Sequence, residues 1–166
     1  GDPLDPATVF GPVATAAQRD KVMGYVRSGI AEDARVTVGG DIAPPIEGGS
    51  FVAPTVFADV SPDMRIAREE IFGPVITIIP ARDVDDAVAI SNSTNFGLGG
   101  IVFGSDEDAA FQVARRVDTG SIGVNFFASN HYAPFGGRHD SGLGVEYGIE
   151  GLNAYLTPQS VHRRSR

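Results

Sequence analysis

Three short β-branched runs, separated by helix-forming stretches, constrain this chain more than any other feature. Val75-Ile76-Thr77-Ile78-Ile79 is apolar at successive positions, the pattern of a strand covered on both faces in a parallel sheet. Ile101-Val102-Phe103 and Ile122-Gly123-Val124-Asn125-Phe126 read as two further strands. Between the runs, Asp83 and Ser105 stand where an N-cap oxygen is wanted. Val84, Ala87 and Val88 would line the inner side of the first helix, and Ala110, Phe111, Ala114 and Val117 that of the second. Strand, helix, strand, helix, strand at this spacing predicts right-handed crossovers and a parallel sheet with crossover helices, an α/β fold.

Upstream, Thr15 and Gln18 form a capping box ahead of a helix that ends near Asp33, with Val22, Val26 and Ile30 recurring every four residues beside Met23. Ala34 to Val38 reads as a strand stopped by Gly39-Gly40, and Asp41 to Ser50 as a surface loop built around Pro44-Pro45 and Gly48-Gly49. Phe51 to Val60 is extended, and Pro54 predicts that it is not a central strand. The 21 glycines and 11 prolines punctuate apolar segments and form no low-complexity tract. A second unit begins at Val75, but no repeat or linker divides the chain, so no domain boundary is drawn before about Gly151, with residues 1–150 as one domain and 151–166 as a terminal strand and tail.

Charge and composition exclude several functions. A net charge of −8 opposes a nucleic-acid surface, and the one basic cluster, His162, Arg163, Arg164 and Arg166, reads as a solvated tail. No run of eighteen apolar residues is present, so no membrane span is expected. No secretory signal opens the sequence, and a cytoplasmic protein is expected. Zero cysteines remove disulfides, thiolate metal sites and any thiol nucleophile from this stretch. The histidines at 131, 139 and 162 have no ligand spacing, so no metal is expected.

Glycine-rich places do not supply a dinucleotide loop either. Gly97-Leu98-Gly99 leads into a strand where the fingerprint needs a helix, Gly142-Leu143-Gly144 has Tyr147 at the third position, and Gly136-Gly137 reads as a tight loop. His139, Asp140 and Ser141 are the residue types of a hydrolase triad, but neighbours in a loop point apart and cannot converge on one atom.

Glu69-Glu70-Ile71-Phe72-Gly73-Pro74-Val75 is the most unusual segment. Composition leaves two readings open: a helix end and turn with Phe72 in the core, or a carboxylate and an aromatic face offered to a polar ring ligand. This segment resembles a signature of the aldehyde dehydrogenase family, from the second half of its catalytic domain. Phe51-Val52-Ala53-Pro54-Thr55-Val56, Asn95-Phe96-Gly97-Leu98-Gly99-Gly100 and Gly120-Ser121-Ile122-Gly123-Val124-Asn125 resemble other segments of that family, in the same order. Pro134-Phe135-Gly136-Gly137, with Ser141-Gly142 and Glu146, is similar to its Pro-Phe-Gly-Gly loop. The resemblance runs over about residues 1–162.

The resemblance implies the C-terminal part of an enzyme that oxidises an aldehyde to a carboxylic acid through a cysteine thioester, with NAD or NADP as cofactor. It implies that Glu70 accepts hydrogen bonds from the nicotinamide ribose and that Phe72 packs on the nicotinamide. Asn125 to Phe135 would wall the aldehyde tunnel, with Phe127 and Phe135 as substrate contacts. Phe126, Phe127 and Tyr132 suggest an apolar or aromatic aldehyde. Ala154 to Val161 would be a strand that pairs with a neighbouring subunit. No catalytic residue falls in this segment, because the nucleophile, the general base and the Rossmann domain precede it in the family. The isolated segment is therefore expected to be inactive, and to associate with itself or with the rest of the dehydrogenase. His139 departs from the family, which usually carries Lys there. The competing expectation is a standalone, non-catalytic assembly module derived from the same fold.

Overall fold

Thr15 opens the first helix as its side chain dictates, its Oγ1 accepting a hydrogen bond from Gln18 N at 3.1 Å. The structure is a computed structural model and describes residues 1–42, 46 and 48–164. Pro44 and Pro45 of the expected surface loop, and Arg166 of the basic tail, lie outside the described residues. The chain divides into two compact units, residues 1–82 and 83–166, so the strand at Val75 belongs to the first unit and the second begins at the Asp83 cap.

In the first unit, α1 (Ala16–Ala31) lies beside β1 (Arg35–Val38), β2 (Thr55–Ala58), the single turn α2 (Arg65–Arg68) and β3 (Val75–Thr77). The buried stripe of α1 is Val22, Tyr25, Val26 and Gly29, whereas Ile30 is 42% exposed. The four-residue repeat alone thus misplaces the stripe, because Tyr25 and Gly29 share the inner face and Ile30 lies to one side. Gln18 departs from the expected box as well. Its side chain reaches Phe72 O at 2.7 Å instead of returning to the cap.

β2 is the middle strand of the three-stranded sheet, antiparallel to β1 and parallel to β3. This corrects the edge assignment drawn from Pro54. That proline stands one residue ahead of β2, where its missing N–H breaks no ladder bond. Thr55 follows it and is buried, its Oγ1 donating to Ala53 O at 3.0 Å and accepting from Gly40 N at 3.1 Å. β3 pairs onward through Ile78, whose N donates to Phe57 O at 2.8 Å. It is not covered on both faces in this chain, since Ile76 is 62% exposed and Ile78 52%. The core gathers Val22, Tyr25, Val26, Ala34, Phe57, Val60, Ile66 and Ile71.

In the second unit, Asp83 caps α3 (Val84–Ser91) by accepting from Asp86 N at 2.8 Å. Asp106, not Ser105, caps α4 (Glu107–Ala114), accepting from Ala109 N at 2.9 Å. Val88, Ala110 and Ala114 are buried, while Val84 and Phe111 lie half-exposed, so both helices bury a narrower stripe than their apolar residues suggest. Gly97 and Gly99 belong to two different strands, β4 (Phe96–Gly97) and β5 (Gly99–Val102). β5 pairs in parallel with β6 (Ser121–Val124), and β4 pairs antiparallel with β7 (Arg138–His139). β5 stops before the exposed Phe103, and β6 stops before Asn125, whose φ of 54° leaves the strand region.

The fold is therefore α/β, with two parallel pairs, β2–β3 and β5–β6, that belong to two separate sheets, while β4 and β7 form a third, antiparallel one. The last element among the described residues is α5 (Gly148–Asn153), and Ala154 to Val161 forms no strand. A strand exists only where another edge completes its ladder, and no element among the described residues does so. No helix among them is long and apolar enough to cross a membrane.

Candidate functional site

The acidic pair at 69 and 70 splits into one structural and one free carboxylate. Glu69 Oε2 accepts from the Tyr25 hydroxyl at 2.8 Å and from Arg65 Nε at 3.1 Å. These two donors, Tyr25 first, hold the Glu69 carboxyl below the usual carboxylate range. The same hydrogen bond, together with burial, raises the Tyr25 hydroxyl above its ordinary value. Arg65 also stacks on the Tyr25 ring at 4.4 Å, and its backbone N donates to Glu32 Oε2 at 2.8 Å. Glu70 is exposed and makes no hydrogen bond or ion pair among the described residues.

Two residues on, Phe72 is 73% exposed on a left-handed backbone, φ 57°. The reading that places Phe72 in the core is thereby corrected. A bulky residue in that region costs about 1 kcal/mol or more and persists only where its surroundings hold it. Gly73 makes the hold possible. A Cβ there would sit 2.5 Å from Val22 Cγ2, so only glycine lets the turn lie against α1. A free carboxylate beside an exposed ring, on a braced turn, suits a ligand that carries both hydroxyls and a flat ring.

In the second unit, a cleft of about 610 Å³ is lined by β6, Phe126, Phe127, Phe135 and Tyr147, among others. No charged side chain lines it among the described residues. Asn125 turns the chain from β6 into this cleft. Its amide donates to Gly104 O and accepts from Gly104 N, each at 2.8 Å, so the side chain completes the backbone pairing of a strand that has already ended. Gly123 is required beneath the turn, because a Cβ there would overlap Phe126 O. Phe135 is fixed by two 2.8 Å backbone bonds with Glu146, which bring Tyr147 against its ring at 6.2 Å.

The other sequence signals scatter. His139 Nε2 lies 2.8 Å from Asp118 Oδ2, Asp140 N donates to Asn95 O, and Ser141 Oγ accepts from Gly97 N at 2.9 Å. Three neighbours thus serve three different partners, and no triad forms. Among the described residues, no group of three or more His, Cys, Asp or Glu could hold a metal ion.

A profile of the aldehyde dehydrogenase family matches residues 1–161. The chain belongs to the aldehyde dehydrogenase family. It is 50% identical over 162 residues to a geranial dehydrogenase of Castellaniella defragrans, covering 98% of this chain and 34% of that protein. It is 44% identical over 164 residues to a betaine aldehyde dehydrogenase of Rhizobium meliloti, again covering 98% and 34%. Among solved structures, an aldehyde dehydrogenase mutant of Pseudomonas syringae, complexed with NAD+ and octanal, superposes with a TM-score of 0.89 at 44% identity. That match covers 95% of this chain and 33% of the other. The chain thus spans about a third of the length of the dehydrogenases it matches.

The motifs that carried the resemblance now have physical reasons in this member of the family. The Glu-Glu pair supplies one brace and one free carboxylate, the Gly-Pro step admits close packing on α1, and the Val-Asn step turns β6 into the cleft. Tyr25, Gln18 and Tyr147 carry no signal in the sequence that marks them as site residues. Gln18 looked like half of a capping box, and nothing local distinguishes Tyr25 from any buried helix tyrosine.

Proposed function

We propose that this chain is the C-terminal portion of an NAD(P)-dependent aldehyde dehydrogenase, where it supplies part of the nicotinamide site and part of the substrate wall. The observation that carries the reading is the Glu70–Phe72 turn, with a free carboxylate and an exposed ring on a backbone held in a costly conformation. Its place late in the parent rests on the resemblance of Glu69-to-Val75 to a signature from the second half of the family's catalytic domain, with the other motifs following in the family's order. Peptide mapping of the whole parent protein tests that placement, and finding this segment in its first third would overturn it.

The bound nicotinamide cofactor would supply the hydride acceptor. Glu70 would accept hydrogen bonds from both ribose hydroxyls, one per carboxylate oxygen, and Phe72 would fix the plane of the ring. Phe127 and Phe135 would exclude water from the substrate and pack on its apolar part. The uncharged, aromatic lining of the cleft favours an apolar or aromatic aldehyde. The thiol nucleophile must come from another segment, since this one has no cysteine.

Two expected results follow for the isolated 166-residue chain. Mixed with NAD+ and a medium-chain or aromatic aldehyde, it produces no reduced cofactor by absorbance. Turnover at an ordinary dehydrogenase rate would end the reading of a segment without the nucleophile. The chain also associates, because Ile76, Ile78, Phe103, Tyr155, Leu156 and Val161 are all more than half exposed. In the parent, the segment Ala154–Val161 would find its ladder on a neighbouring subunit. Light scattering at micromolar concentration should show a dimer or larger, and a mass of 17.4 kDa unchanged on dilution would refute it.

A further inference from the structure

We infer that one face of α1 is the device that positions the Glu70–Phe72 turn, with Tyr25 and Gln18 as positioning residues that act on the cofactor through that turn. The inference rests on the reading of the turn as a nicotinamide site. Its warrant is the way the turn is bracketed. Gln18, Val22 and Tyr25 are spaced by four and three residues, which puts them on one side of a helix.

Each of the three touches a different part of the turn. Tyr25 donates to Glu69 at 2.8 Å just before the turn, and with Arg65 at 3.1 Å it keeps that carboxylate away from the ligand side. Val22 fills the space that the missing side chain of Gly73 leaves. Gln18 Nε2 donates to Phe72 O at 2.7 Å and lies 3.5 Å from Ile71 O. The accepting carbonyl belongs to the residue whose φ is 57°, so the bond acts where the backbone is most strained. Without it, Phe72 can relax toward negative φ, which swings the ring off its present face.

Glu69 could be replaced by many residues if its only task were solubility. Instead, Tyr25, Arg65, Ser28 and Glu32 are linked around it. Ser28 Oγ donates to Glu32 Oε1 at 2.6 Å, and Glu32 Oε2 takes the Arg65 backbone N at 2.8 Å. This network spans α1 and α2 and leaves Glu70 outside it. The free carboxylate is therefore held by its neighbour's bonds and not by its own.

The test uses the full-length dehydrogenase that carries this segment, with Tyr25→Phe and Gln18→Met. Both keep side-chain volume, and Tyr25→Phe keeps the buried ring. Amide hydrogen exchange, read by mass on peptides spanning residues 66–76, should quicken about tenfold in each variant, as the loss of one hydrogen bond predicts. Exchange elsewhere, and the thermal midpoint, should stay near the parent values. Turnover should fall roughly tenfold or more, because small misplacements of a reacting ring are costly, while the KM for aldehyde is unchanged. Glu70→Gln is run beside them with NAD+ dissociation measured at equilibrium. If Glu70→Gln weakens NAD+ while both other variants match the parent in exchange and turnover, the positioning role is overturned and the site reading stands. If Glu70→Gln leaves both NAD+ binding and turnover unchanged, the site reading falls, and the positioning role falls with it. A drop in thermal midpoint with turnover per folded molecule unchanged would reduce Tyr25 and Gln18 to structural parts and overturn the proposal.

Discussion

Glu70→Gln in the full-length enzyme is expected to lower turnover about a hundredfold, the cost of holding a reacting ring about an ångström from its productive place. The substitution keeps the shape of the side chain and removes one acceptor oxygen and the charge. A carboxylate can accept from two ribose hydroxyls at once, whereas a carboxamide must turn its NH2 toward one of them. The structure sharpens the expectation, because Glu70 makes no hydrogen bond or ion pair among the described residues, so its replacement breaks none of the contacts that hold this unit together. Glu69→Gln is the contrasting case. It disturbs the Tyr25 and Arg65 contacts at 2.8 and 3.1 Å and should act on local order as well as on rate. Steady-state formation of reduced cofactor, with NAD+ varied at saturating aldehyde, separates the two. Unchanged turnover and unchanged KM for NAD+ in Glu70→Gln would remove this residue from the cofactor site.

The sequence was most legible where a signal is local. Thr15 and Asp83 cap helices as their side chains require, and the parallel pairing of β5 with β6 follows from a strand–helix–strand spacing. It was least legible where the deciding partner is distant along the chain. Pro54 reads as an edge signal, yet the strand that flanks β2 on its parallel side is β3, some twenty residues on. Phe72 reads from composition as core or as ligand face, and its exposure on a left-handed backbone, tied to Gln18 54 residues away, excludes the core. Periodicity likewise overstates burial. Ile30, Val84 and Phe111 all fit an apolar helix stripe and all remain substantially exposed, because the opposing surface is narrower than the stripe.

Phe57→Ala is expected to destabilise the chain by about 3–5 kcal/mol, the usual cost of removing a buried aromatic side chain. Phe57 is 0% exposed in the middle strand of the first unit and packs with Val22, Val26, Val60 and Ile66 in one cluster. Its ring lies against α1, within about 3.0 Å of where a Cβ on Gly29 would stand, so its removal opens a space that neither Gly29 nor an alanine can fill without movement of the helix. Incomplete collapse adds a cavity term to the lost transfer energy, which puts the expected cost toward the upper part of that range. A domain stable by roughly 5–15 kcal/mol would lose much of its margin, and α1 would lose the surface that sets the Glu70–Phe72 turn. Phe103→Ala supplies the comparison. That ring is 73% exposed, and its removal should change stability by about 0.5 kcal/mol or less. Urea unfolding of the chain, followed by far-ultraviolet circular dichroism, reads both. A Phe57→Ala midpoint no lower than that of Phe103→Ala would mean that the cluster around β2 is not the core of this unit.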